Sequence, residues 1–356
     1  MHESIKAKKR KRSFTRGIKR MIKKLKAVAT VGLMGALLLA GCGSNEKTGS
    51  GDSGSAGGGE SEKTYKVGLT QIVEHPSLDA ATAGFKKALE ESGLKIEYDE
   101  QNAQNDLNNA QTIANNFVGD KVDLIFANAT PSAQSALNAT TDIPVIFTSV
   151  TDPIGAGLID SFEEPGGNVT GTSDMFPDAI AQTVDFIVKD FGAKKIGTIY
   201  NTGEQNSTVQ VDQIKEALKD TDVELVERSV ATTADVKAAA ESLIDKVDVI
   251  YIITDNTVVS ALDTVIQVSN ENDIPLFVGE TDSVEKGAFA AFGISYEAIG
   301  YEAGQMAVQI LKGEKKPSEL PAKFPSEIKL VINKKAAEEM SVDLKEEWND
   351  IAEFLE

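Results

Sequence analysis

The chain carries one α/β pattern twice, and this repeat limits its fold more than any other feature. In the first half, Lys66-Val67-Gly68-Leu69-Thr70 reads as a strand, followed by apolar Leu78, Ala81, Phe85, Ala88 and Leu89 at helical spacing. LKIEYDEQNA then reads as a strand and residues 106–119 as a helix. Val122-Asp123-Leu124-Ile125-Phe126 is a third strand, a helix starts near Pro131, and Asp142-Ile143-Pro144-Val145-Ile146-Phe147 is a fourth strand. The second half runs the same way. Lys195-Ile196-Gly197-Thr198-Ile199-Tyr200 precedes a helix with Val211, Ile214, Ala217 and Leu218, then the strand DVELVERSVA and a helix over 234–246. Val247-Asp248-Val249-Ile250-Tyr251 mirrors the earlier VDLIF, and Asp273-Ile274-Pro275-Leu276-Phe277-Val278 mirrors DIPVIF. The spacings agree: 129 positions from Val67 to Ile196, 125 from Asp123 to Asp248, 131 from Pro144 to Pro275 and 130 from Asp152 to Asp282.

Strands alternating with helices imply parallel sheets joined by right-handed crossovers. Fully apolar VDLIF and VDVIY suit strands covered on both faces. The expected fold is therefore α/β, with two similar doubly wound parallel-sheet lobes joined by a three-strand hinge. Ligands bind beyond the carboxyl ends of parallel strands, so two lobes facing each other enclose a cleft and close on it by a hinge. The first crossing is expected near Gly166-Gly167-Asn168-Val169-Thr170-Gly171, the second near Gly293-Ile294-Ser295 and the third over 313–325, leading to a last strand at Ile328-Lys329-Leu330-Val331-Ile332. This gives an N-terminal lobe of 64–168 plus 295–313 and a C-terminal lobe of 169–294 plus 314–343. Residues 344–356, with the single Trp348, read as an acidic tail helix.

The N-terminus has a different character. Residues 1–26 carry 12 Lys/Arg and one acid, Glu3, and an apolar run follows from Ala27 to Ala40. That run is shorter than the roughly 20 residues a membrane span needs. Basic, apolar and small-residue stretches in this order read as a secretory signal over 1–41, complete from Met21 onward. The run ends in Leu39-Ala40-Gly41-Cys42, with Cys42 the sole cysteine of the chain. This resembles the lipobox of bacterial lipoproteins, which implies acylation of Cys42 and anchoring at the outer face of the cell membrane. Acyl chains bury many methylenes at roughly 0.8 kcal/mol each, so more than one holds stably. Residues 42–63 are Gly, Ser and charges, and read as a flexible tether reaching about 25 Å.

Beyond residue 41 the chain keeps 24 Lys/Arg against 54 Asp/Glu, a formal charge of −30. Such a body argues against nucleic acid or anionic lipid as partner. Only two histidines occur, and with no cysteine cluster neither a transition-metal site nor a cofactor is expected.

The repeat also marks the residues expected at the cleft. After the first strands stand Gln71, Glu74 and His75 in one lobe, and Tyr200, Asn201, Glu204 and Asn206 in the other. The third strands are followed by Asn128, Ala129 and Thr130, and by Thr254, Asp255 and Asn256. The fourth are followed by Thr148 and Ser149, and by Gly279 and Glu280. Ser173 and Asp174 follow the first crossing. Thr130-Pro131-Ser132 reads as a helix start whose free N–H groups attract an anion. Asp255 holds the matching place in the other lobe. An acid facing a helix N-terminus suits a ligand with both ammonium and carboxylate, so Asp255→Ala is expected to weaken binding more than tenfold. The competing reading is that Thr130, Asp255 and Asn256 cap their own helices, that Glu204 and Glu280 are solvated loop acids, and that His75 only caps a helix.

Several of these motifs together, Thr70-Gln71-Ile72-Val73-Glu74-His75-Pro76-Ser77-Leu78-Asp79, Asn128-Ala129-Thr130-Pro131, Thr148-Ser149-Val150-Thr151-Asp152-Pro153, Gly171-Thr172-Ser173-Asp174, Thr254-Asp255-Asn256 and Phe277-Val278-Gly279-Glu280, resemble the tryptophan/tyrosine-type substrate-binding proteins of ABC importers. The resemblance covers about residues 64–343. It implies the type I periplasmic-binding fold, an amino acid ligand, often aromatic, and permease and ATPase subunits as partners of a monomeric binding protein. It leaves open a nucleoside or sugar ligand, or service to a sensor in place of an importer. No G-x-S-x-G, P-loop or G-x-G-x-x-G motif points to an enzyme.

Overall fold

The computed structural model describes residues 63–356. The basic segment, Cys42 and all but the last residue of the expected tether lie outside the described residues.

In the first lobe the elements are β1 (Thr64–Gln71), α1 (Pro76–Glu91), β2 (Lys95–Asn102), α2 (Leu107–Gly119), β3 (Leu124–Asn128), α3 (Thr130–Ala139), β4 (Val145–Val150) and β5 (Val169–Ser173). Their sheet order is β2-β1-β3-β4-β5, all parallel. The second lobe holds α4 (Ala179–Asp190), β6 (Lys195–Asn201), α5 (Gln205–Leu218), β7 (Glu224–Val230), α6 (Val236–Glu241), β8 (Val249–Ile252), α7 (Asn256–Val259), α8 (Leu262–Glu271), β9 (Leu276–Val278), α9 (Thr281–Lys286) and β10 (Ala290–Gly293). Five of its strands run β7-β6-β8-β9-β10, the first lobe's order over again. The duplicated pattern is thus a duplicated topology. Buried β3 and β8 are covered on both faces, which explains their unbroken apolar runs.

The chain then returns to the first lobe as α10 (Tyr296–Leu311), which lies along α1. Small residues allow this contact. A Cβ at Gly300 would stand 1.9 Å from the Ala81 carbonyl oxygen, and one at Gly84 would stand 2.1 Å from that of Glu297. Ala303, Met306, Ala307 and Leu311 complete the apolar layer around Val67, Leu69, Phe85 and Phe126. A final passage reaches β11 (Lys329–Asn333), α11 (Lys334–Glu339) and β12 (Ala352–Leu355) in the second lobe. β11 pairs antiparallel with β10, so the second sheet is not wholly parallel.

Three boundaries differ from the sequence reading. Residues 320–323 do not belong to the second lobe as expected: Leu320 and Ala322 lie in the first lobe's apolar layers and Lys323 bridges to Thr172 of β5. β5 pairs with β4 and belongs to the first sheet, so the first crossing follows Ser173 and does not begin at residue 169. Gly171 lies inside that strand, where a Cβ would stand 2.0 Å from the Phe147 carbonyl oxygen; the glycine serves close strand packing as much as any bend. The expected tail helix is instead a 3₁₀ turn (Glu346–Asp350) followed by β12, parallel to β11. Trp348 is 1% exposed among Phe186, Phe191 and Phe289, and its indole N–H donates to Asp190. Burial of this aromatic cluster outweighs the helical bias of an acidic segment.

Candidate functional site

The C-terminal ends of the two sheets face one another across a small, nearly closed cavity. The first lobe contributes His75 and Leu78 from the start of α1, Ser149 from the end of β4 and Asp174 just past β5. The second contributes Asn206 from α5, Thr254, Asn256 and Val259 around α7, and Glu280 before α9. Tyr296, at the second crossing, closes one side. The cavity's enclosed interior is about 10 Å³, room for a single water, so a solute enters only with the lobes further apart. Seven expected residues therefore meet there: His75, Ser149, Asp174, Asn206, Thr254, Asn256 and Glu280.

Two acids dominate the chemistry. Asp174 accepts the Tyr296 hydroxyl at 2.8 Å and the Thr151 hydroxyl at 3.0 Å. Burial nevertheless holds its carboxyl above the usual carboxylate range. Glu280 caps α9, accepting the Ser283 N–H at 2.9 Å and the Ser283 hydroxyl. Burial, followed by the nearby Asp282 charge, pushes it up to about 7. Among the described residues neither carboxyl has an ion-pair partner. His75 offers no cation, since burial drives its imidazole down to about 4. Tyr296, buried beside Asp174, is held well above the usual phenol range by burial and then by that carboxylate, so it stays a hydrogen-bond donor.

Around the cavity, several buried polar atoms lack a partner within the protein: His75 Nδ1, Ser149 Oγ and Asn206 Oδ1, and, at the α3 start, Thr130 Oγ1 and Ser132 Oγ. Buried polar groups are ordinarily satisfied. Helix α3 also has no side-chain cap, and the residue before it, Ala129, has φ 81°. Ser149 has φ 56°. Non-glycine residues held in this region mark places where the surroundings over-determine the backbone, commonly binding sites.

The other expected residues lie behind or beside the cavity. Asn128 donates to the Leu78 carbonyl and the Thr82 hydroxyl, fixing α1 on its strand. The Thr148 and Thr172 hydroxyls pair at 2.8 Å within the sheet, and Ser173 bonds the Thr151 carbonyl. Gln71 and exposed Glu74 line an outer groove with Asp79 and Lys86. Tyr200 donates to Glu227 at 2.8 Å on the outer side of the second lobe.

Asp255 is fully buried but does not line the cavity. Its carboxylate accepts the Asn201 N–H at 2.6 Å, the Ser207 hydroxyl at 2.6 Å and the Val258 N–H at 2.8 Å. Burial and then the neighbouring Glu204 raise its pKa. Glu204 accepts the Asn256 side chain at 2.6 Å and the Thr257 hydroxyl at 2.8 Å. These two acids hold their own lobe's loops, and the acids turned to the cavity are Asp174 and Glu280. Leu78, Val259 and Tyr296 escaped the sequence reading. Leu78 follows the core periodicity of α1, and Tyr296 opens a helix with nothing in its pattern to separate it from a core aromatic.

The family model described as ABC transporter substrate binding protein matches residues 66–353. The tyrosine-binding protein of Clostridioides difficile (strain R20291) is 47% identical over 317 residues, covering 87% of this chain and 90% of that one. The structure of an ABC domain in complex with L-Trp from Streptococcus pneumonia is 35% identical, with TM-score 0.77, covering 82% of this chain and 99% of that one. A ligand-free, open structure of a substrate binding protein with adhesive properties from Clostridium difficile is 43% identical, yet its TM-score is 0.60, over 82% of this chain and 99% of that one. Higher identity with poorer superposition fits lobes that are set differently, and here both lobes wall one small cavity.

Proposed function

Because the chain belongs to the substrate-binding proteins of ABC transporters and has their type I periplasmic-binding fold, we propose that it captures an α-amino acid, most readily an aromatic one, outside the cell for an importer. The observation that carries this reading is the pair Asp174 and Glu280: a half-buried and a buried carboxyl on opposite lobes, facing one cavity with no ion-pair partner among the described residues. A ligand ammonium between them supplies the missing charge, and a charge-assisted hydrogen bond in a dry site is strong. The carboxylate finds a donor in the unpartnered Ser149 hydroxyl, with the uncapped α3 N-terminus adjoining Ser149 in the sheet, and the free Asn206 Oδ1 adds an acceptor for the ammonium. Leu78, Val259 and the Tyr296 ring offer apolar walls to the side chain. The names of the tyrosine-binding relative and of the L-Trp complex favour the same class.

Thermal-shift and calorimetric titrations with tyrosine, tryptophan and phenylalanine test this against tyramine, 3-(4-hydroxyphenyl)propionate, a purine nucleoside and a hexose. An amino acid at a hundredfold its Kd adds about 2.7 kcal/mol to stability, and the two analogues lacking one charge bind more weakly. A shift with the nucleoside or hexose and none with amino acids overturns the reading.

The proposed setting is the outer face of the membrane, with Cys42 acylated and permease and ATPase subunits as partners. Among the described residues no helix is long and apolar enough to cross a membrane. Intact-mass analysis of the membrane-extracted chain should find a lipid-modified N-terminal Cys42, and Cys42→Ala should release the protein. Retention of the alanine variant on membranes would refute the anchor.

A further inference from the structure

We propose that Asn105 and Thr257 form a closure latch, a positioning pair remote from the solute that sets how long it is retained; the retention arm of this inference rests on the amino acid reading above. The Asn105 side-chain amide crosses from the first lobe to donate to the Thr257 hydroxyl at 2.8 Å. Two further side-chain bonds between the lobes outside the cavity are longer, Gln205 to Asp152 at 3.4 Å and Gln210 to Thr151 at 3.5 Å, while His75 meets Asn256, and Ser77 meets Glu280, at the cavity itself. Neither Asn105 nor Thr257 lines the cavity.

Both ends of the latch are rigid. Asn105 sits with Gln104 in a two-residue left-handed turn, φ 59° and 54°, a conformation asparagine tolerates better than most residues. Its backbone N–H donates to Ile72 at 2.7 Å, three residues ahead of His75. Across the cleft, the Thr257 hydroxyl uses its full capacity. It accepts from Asn105 and from the Asn201 amide at 2.9 Å, and gives its proton to Glu204 at 2.8 Å. Donation to a buried carboxylate polarises that hydroxyl and strengthens it as an acceptor. The same carboxylate fixes Asn256, which lines the cavity. One anion thus holds both the latch and a wall of the binding site, and the turn at the other end is tied to the segment bearing His75. Closing the latch and shaping the cavity are coupled through these bonds.

The test uses the full chain in two variants, Asn105→Ala and Asn105→Asp. Stopped-flow release of tyrosine should speed up about twofold to tenfold in Asn105→Ala, the range one neutral hydrogen bond spans, with the association rate little changed. Asn105→Asp should release tyrosine at least as fast, because its oxygens meet a hydroxyl whose proton already points to Glu204. A simple packing role predicts no such failure of the near-isosteric aspartate. Hydrogen exchange of ligand-free protein should be faster in both variants over residues 254–258 and unchanged around Trp348. Release rates equal to wild type, or an aspartate variant that behaves as wild type, overturn the latch. If the wild-type chain binds no amino acid in calorimetry, the functional reading fails by itself. The latch is then judged by exchange alone: faster exchange over 254–258 supports it, and unchanged exchange overturns it.

Discussion

Glu280→Gln should stabilise the ligand-free protein while weakening ligand binding, and the two effects have separate pH profiles. Glu280 is 2% exposed, and burial lifts its pKa from 4.5 to about 7. Below about pH 4.5 the folded and unfolded chains both hold the proton, so the group contributes no difference. As pH rises to about 7 the unfolded chain ionises first while the folded chain keeps its proton, and stability falls. Above about 7 the loss is complete. At about 1.4 kcal/mol per pH unit, the full loss is about 3 kcal/mol. Glutamine cannot ionise, and its carbonyl oxygen can still accept the Ser283 N–H that caps α9. Scanning calorimetry should therefore show the variant several degrees more stable at pH 8 and nearly equal at pH 5. Titration calorimetry should show the opposite sign: a loss of about tenfold to a hundredfold in amino acid affinity at pH 8, the worth of a charged hydrogen bond. Wild-type affinity should fall from pH 8 to pH 5, and the variant's should vary little. A variant melting lower than wild type at pH 8, or binding as tightly, refutes the reasoning.

Trp348→Ala removes a fully buried ring from the second lobe's aromatic cluster and should cost about 3–5 kcal/mol, read as a lower urea midpoint for that lobe with tyrosine binding lost only as the fold is lost. Gly300→Ala places a Cβ against the Ala81 backbone and should loosen α10 from α1, seen as a lower melting temperature and faster exchange in both helices. Asp255→Ala leaves the Asn201 and Val258 N–H groups and the Ser207 hydroxyl without their acceptor. It should lower stability by about 3 kcal/mol in chemical denaturation, with affinity falling only through disorder of the Thr254–Asn256 loop.

Much of the architecture was legible because it is periodic. Two apolar strands at matching offsets fix two sheets, and the four strands read in each half fall into one order, while the fifth of each, β5 and β10, lies where a crossing is expected. The strand over residues 169–173 was misplaced because its glycines look like a bend, and only contact with β4 reveals that the missing Cβ makes room for a neighbouring strand. The C-terminal segment was misjudged because its acidic surface carries helical bias, whereas Trp348 is decided by aromatic partners more than 50 residues away. Within the site, position in the repeat located Asp174 and Glu280, but not which acids would face the cavity. Asp255 and Glu280 follow neighbouring strands, β8 and β9, and each caps the next helix; their roles part on geometry, since Asp255 collects three donors from its own lobe while Glu280 takes two from Ser283 and lines the cavity. That depends on loop geometry, which no spacing rule reports. Tyr296 and Leu78 were hidden by helical periodicity, since a residue facing a cavity and one facing a core occupy the same stripe.

The return of α10 to the first lobe has a consequence for biosynthesis. The N-terminal half cannot finish its own apolar layer until residues 296–311 have been made, by which time the whole second sheet except its last two strands has emerged. That sheet in turn waits for residues 329–355. Neither half reaches its final stability as an early, independent unit, so the two halves mature together once those segments have been made.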